Sequence, residues 1–156
     1  IGQELGISRK EASAIIKSYF EQYPGIQRYI DSICKKARED KYVETILGRR
    51  RPIWDANSNN SLIRKAAERM AINMPIQGSA AEMIKLAMID IRNEIIDKKL
   101  KSKLVLQVHD ELIFEFPQEE EELLIELVTK KMENSMKLSV PIIVDYGVGK
   151  SWYEAH

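Results

Sequence analysis

Apolar and polar residues alternate with a period of two on both sides of His109-Asp110-Glu111. On one side Leu104, Leu106 and Val108 alternate with Val105, Gln107 and His109; on the other Leu112, Phe114 and Phe116 alternate with Glu111, Ile113 and Glu115. Alternation over runs of this length predicts strands. The polar break between them predicts an antiparallel hairpin over residues 103–117, with acids at an exposed tip and a buried apolar face behind.

Elsewhere the spacing is helical. Ser8 followed by Glu11 is a capping-box pattern, so a helix begins near Arg9 and carries Ala12, Ile15, Ile16, Tyr19 and Phe20 on one face. Tyr23-Pro24-Gly25 breaks it, and Ile26, Tyr29, Ile30, Ile33, Cys34 and Ala37 mark a second helix, giving a helical hairpin or corner. Residues 42–47 predict a short strand and 48–52 a turn, with Ile53 and Trp54 pairing back. The polar run DANSNNS, residues 55–61, predicts a flexible loop that is disordered without a ligand.

Ser61 is placed to cap a third helix through Leu62, Ala66, Ala67, Met70 and Met74, which Pro75 and Gly78 interrupt. A fourth helix over 79–99 would bury Ile84, Ala87, Met88, Ile91 and Ile95. A fifth over 118–138 carries Leu123, Leu124, Leu127, Val128, Met132 and Met136, and its acidic start, Glu119 to Glu122, reads as a solvated first turn favoured by the helix dipole. Residues 140–148 predict a last strand joining the sheet, with Trp152 packing the tail. This order gives an α+β fold, an antiparallel sheet with an acid-bearing hairpin, packed by about five helices.

Composition narrows the class. The 156 residues suit one domain or a piece of one, and the chain begins at Ile1 without a Met, as expected of a segment cut from something longer. The sequence holds no apolar run of membrane-spanning length. The single cysteine, Cys34, falls in a helical apolar pattern and reads as core. With 24 basic and 24 acidic residues the net charge is zero, which argues against binding nucleic acid by bulk charge alone. The charge is unevenly distributed, however: Arg49, Arg50 and Arg51 are consecutive, far from the glutamate run. A neutral total can hide a basic face.

The candidate chemistry sits at the predicted hairpin tip. Mg²⁺ takes hard oxygen ligands and often only one or two carboxylates, so Asp110, and Glu111 in a supporting role, suit such an ion; without further context, Asp-Glu here reads equally as plain turn chemistry. Arg69, Asn73 and Gln77 are spaced four apart. On a helix the first two share a side, with Gln77 past the Pro75 break. By spacing alone this is an ordinary polar helix face. Consecutive arginines suit backbone phosphates, and Arg64 and Lys65 are further candidates.

VHDE between two apolar strands resembles the third motif of family A DNA polymerases, the DNA polymerase I family. AAERMAINMPIQGSAAEMIKLAM (66–88), YFEQYPGIQRYI (19–30) and YVETILGRRRPI (42–53) resemble other blocks of that family, in the same order and over nearly the whole chain. The resemblance implies DNA-templated synthesis by a two-metal mechanism, using Mg²⁺ with Mn²⁺ as a possible substitute. Asp110 is then a ligand of the catalytic metals and His109 a contact near the primer end. Arg69, Asn73 and Gln77, with Arg49, Arg50 and Arg51, face primer-template DNA. It also implies a cytoplasmic protein, with about 1–78 as fingers base and DNA-contacting helices and about 79–156 as palm.

The family's upstream metal-binding Asp and its nucleotide-binding fingers helix are not in this sequence. The chain alone is therefore expected to be inactive, and to dimerise or aggregate through exposed sheet edge. One rival reading is a His-Asp phosphohydrolase, which needs further histidines where only His156 remains. The other is a non-catalytic DNA-binding module, which leaves Asp110 unexplained.

Overall fold

The computed structural model describes residues 6–155, so Ile1 and His156 lie outside the described residues. The chain divides into two compact units, Ile1–Ile76 and Gln77–His156.

The first unit opens with α1 (Arg9–Gln22). Its capping box forms as expected: the Glu11 amide donates to Ser8 Oγ at 3.2 Å and the Ser8 amide donates to Glu11 Oε2 at 2.9 Å. The Ser8 hydroxyl, which donates to Glu11 Oε2 at 2.7 Å, and then the Ser8 amide hold the Glu11 carboxyl below its ordinary pKa. Pro24 starts α2 (Pro24–Asp40), where a missing N–H costs nothing. Cys34 and Ala37 are buried on α2, and Ala37 joins Val43, Ile53, Ala56, Ala67 and Ala71 in the unit's core.

Strands β1 (Tyr42–Glu44) and β2 (Arg50–Pro52) pair antiparallel, with Val43 opposite Arg51. The turn therefore comes earlier than expected, and Arg50 and Arg51 lie on a strand. Gly48, at φ 82°, makes the reversal that an L side chain would resist. The polar run after Ile53 is not a disordered loop. Trp54–Asn57 forms a 3-10 turn with Ala56 buried, and Asn57 Nδ2 donates to the Arg38 carbonyl at 3.0 Å. Asn60 rather than Ser61 caps the next helix, its Oδ1 accepting from the Leu62 amide at 2.9 Å.

The expected third and fourth helices are one. α3 (Ser61–Asp97) runs 37 residues with Pro75 inside it. An interior proline removes one ladder bond and costs about 3 kcal/mol, which tertiary packing can offset. Ala67 and Ala71 are buried before Pro75, and Ser79, Ala87 and Ile91 after it.

In the second unit, β3 (Lys103–Val108) and β4 (Glu111–Glu115) form the expected antiparallel hairpin. Its register shifts between Leu104 and Leu106, so Leu104 faces Phe114 while Leu106 faces Ile113. This bulge moves Leu106 and Val108 to the opposite face from Leu104, breaking the single apolar face read from alternation. Leu112 and Phe114 pack against Ala87, Ile91 and Leu127. α4 (Glu121–Glu133) buries Leu124 and Leu127 and is shorter than expected at both ends, following a 3-10 turn at Gln118–Glu120.

No strand forms over 140–148 among the described residues; each of the two sheets has two strands. A strand exists only with a ladder partner, and here the segment has none. The tail closes with α5 (Trp152–Ala155). Trp152 is half exposed, and backbone meets backbone closely here: a Cβ on Gly147 would collide with the Ala155 carbonyl oxygen. The α+β class stands, with five α-helices among the described residues.

Candidate nucleic-acid and metal-binding site

The hairpin places the acids at its tip. Val108 and Glu111 are the last paired residues, so His109 and Asp110 alone make the turn. His109 takes the left-handed conformation, φ 52°, and Gln107 Nε2 donates to its carbonyl at 2.5 Å. His109 and Asp110 are exposed and Glu111 is half-buried. The Asp110 carboxylate on the turn faces solvent, and Glu111, the first residue of β4, follows it where the core-packed strands end.

The base of the hairpin is held by a residue that sequence patterning passed over. Glu120 Oε1 accepts from the Lys101 amide at 2.8 Å, and Oε2 accepts from the Ser102 amide at 2.9 Å and Ser102 Oγ at 2.6 Å. The Lys101 amide, then Ser102, keep the Glu120 carboxyl below its ordinary value. At this position the glutamate run is a backbone clamp rather than a solvated helix start. No local signal pointed to it, because the partners lie 18 and 19 residues away.

The tip suits a hard divalent ion that draws its other ligands from water and phosphate oxygens. No cluster of three or more His, Cys, Asp or Glu is arranged to hold a metal among the described residues. The tip itself offers two adjacent carboxylates, Asp110 and Glu111.

In the first unit the arginine run is not uniform. Glu44 accepts from Lys36 Nζ at 2.7 Å and from Arg50 Nε at 3.4 Å. Lys36 is the main cause of a lowered Glu44 pKa, and Glu44 raises that of Lys36. The Arg50 guanidinium also lies 4.5 Å from the Tyr42 ring centroid. Arg50 is thus engaged within its own hairpin; all three arginines are exposed. Arg64 donates to the Ser58 carbonyl at 2.8 Å, so it too serves its own loop, and Lys65 is exposed.

Arg69 and Asn73 stand one turn apart on α3, both exposed. Gln77 is exposed on the same helix, beyond Pro75 and in the second unit. Near Asn73, the Tyr29 hydroxyl donates to the Ile72 carbonyl at 2.9 Å. Burial raises the Tyr29 pKa. Tyr29 had read only as part of the apolar face of α2.

The chain is similar to known proteins over nearly its whole length. The chain is 50% identical over 155 residues to DNA polymerase I of Bacillus caldotenax and, equally, to that of Bacillus subtilis (strain 168). In each case the match covers 99% of this chain and 18% of the relative, so the chain spans under a fifth of their length. Among solved structures, it matches the POL domain of Pol1 from M. smegmatis in complex with DNA primer-template and dNTP. There the TM-score is 0.96 and the identity 45%, over 99% of this chain and 27% of that one. The family model for DNA polymerase family A matches residues 1–154. On a match of that extent, the chain belongs to DNA polymerase family A.

Proposed function

We propose that this chain is the C-terminal part of the polymerase domain of a DNA-templated DNA polymerase, which joins a deoxynucleotide to a primer 3′-hydroxyl. The observation that carries the reading is the pair Asp110–Glu111 at the exposed tip of a core-packed hairpin, within a family A sequence. Residues up to about 78 serve as fingers base and DNA-contacting helices, and those from about 79 onward as palm.

In this reading Asp110 holds a divalent ion, Mg²⁺ or Mn²⁺, and Glu111 supports it. A pair of such ions, when bound, supplies activation of the attacking hydroxyl and stabilisation of the leaving pyrophosphate oxygen. The chain's own residues bind and orient. His109, exposed beside Asp110, contacts the primer near its end. Arg69, Asn73 and Gln77 donate to minor-groove acceptors shared by all base pairs. Arg49, Arg50 and Arg51 meet backbone phosphates, Arg50 contributing less than Arg51 because Glu44 and Tyr42 already engage it.

Asp110 and Glu111 cannot by themselves complete two ion sites, so the chain alone does not synthesise DNA. Mn²⁺ binding to the full-length parent, followed by electron paramagnetic resonance, tests the assignment. Asp110→Ala should abolish at least one bound ion in the presence of primer-template. Unchanged Mn²⁺ stoichiometry and affinity would remove Asp110 from the metal site. A non-catalytic DNA-binding module would show no Asp110-dependent ion and no synthesis by the parent.

A further inference from the structure

Pro75 has no N–H, so the carbonyl of Ala71 loses its donor on the helix, and the proline ring crowds that turn. Disturbed helix turns need outside partners for their carbonyls. The next carbonyl along, that of Ile72, receives one: the Tyr29 hydroxyl, 43 residues earlier and on α2, donates to it at 2.9 Å. The Ile72 carbonyl belongs to the peptide unit whose nitrogen is that of Asn73. Tyr29 therefore grips the backbone plane that leads directly into a candidate DNA contact. The phenol is partly buried, whereas Asn73 is exposed.

We propose that Tyr29 is a positioning residue for nucleic-acid binding, fixing the Ile72–Asn73 peptide beside Pro75 so that the Asn73 amide is presented in one orientation. This rests on the reading of Asn73 as a contact to primer-template. It extends that reading to a residue that touches no substrate.

The test is a double-mutant cycle in the full-length parent. Primer-template Kd, kcat at saturating primer-template and the thermal midpoint are measured for Tyr29→Phe, Asn73→Ala and the double variant. Phenylalanine keeps the ring and removes only the hydroxyl. Tyr29→Phe should weaken primer-template binding about five-fold, the worth of one hydrogen bond, with kcat unchanged. In the Asn73→Ala background the same change should cost less than about two-fold, because the group it positions is gone. An equal factor in both backgrounds, accompanied by a lower thermal midpoint, would make Tyr29 a purely structural residue and overturn the proposal. No effect of Tyr29→Phe beside a clear effect of Asn73→Ala would overturn it alone. No effect of Asn73→Ala would overturn the DNA-contact reading and the proposal with it.

Discussion

Glu120 and Ser102 are joined twice: one carboxylate oxygen of Glu120 accepts from the Ser102 amide at 2.9 Å and from its hydroxyl at 2.6 Å. Ser102 is buried and directly precedes β3. The glutamate thus sets where the hairpin begins, at the end opposite its acidic tip.

This clamp makes stability depend on pH. The Glu120 carboxyl is held below its ordinary value of 4.5, so the unfolded chain takes up a proton there before the folded chain does. Its contribution is full above about pH 4.5 and is lost as pH falls through the lower folded value. Other carboxyls, Glu11, Glu44 and Glu94 among them, shift the same way, so the difference between wild type and Glu120→Gln isolates the effect. Thermal midpoints from pH 3 to 7 should show the glutamine variant less stable near neutrality, with the gap closing toward acid. A constant gap would deny the clamp its charge.

The arginine run should separate by role. Arg51→Ala in the full-length parent should lower the slope of log affinity for DNA against log salt by about one unit, as expected for one lost phosphate contact. Arg50→Ala should change the slope less and destabilise the β1–β2 hairpin, because Arg50 is spent on Glu44 and Tyr42. Salt titrations of DNA binding by the two variants check this. Equal slopes would contradict the structural distinction.

The exposed apolar surface of the isolated chain should drive association. Val105 and Leu106 on β3 are each about half exposed, and Ile143, Tyr146 and Val148 are exposed in the segment without a ladder partner. Sedimentation of the isolated chain should show mass rising with concentration. A monomer at all concentrations would count against it.

What could be read from the sequence divides by range. The Ser8–Glu11 capping box and the break at Tyr23-Pro24 are local chemistry, and both form as patterned. The hairpin tip was equally legible, since period-two runs flank a short polar break. Failures came where distant partners decide. Pro75 reads as a helix end, yet packing on both sides and a tyrosine from α2 carry α3 through it. Residues 140–148 have strand composition but no strand beside them. The bulge between Leu104 and Leu106 is invisible to alternation, because an inserted residue there is itself apolar. The place of Asp110 on the turn followed from pattern. The commitment of Arg50 to Glu44 and the clamp by Glu120 are settled by contacts that no spacing announces.

The most direct measurement is single-nucleotide incorporation by the full-length parent carrying Asp110→Ala, with Mg²⁺, saturating dNTP and saturating primer-template, alongside the primer-template Kd. The incorporation rate should fall by about a thousand-fold or more, the loss of several kcal/mol of transition-state stabilisation, while Kd changes by less than about three-fold. A variant that still incorporates nucleotides at the wild-type rate would contradict the assignment of Asp110 to the reacting centre.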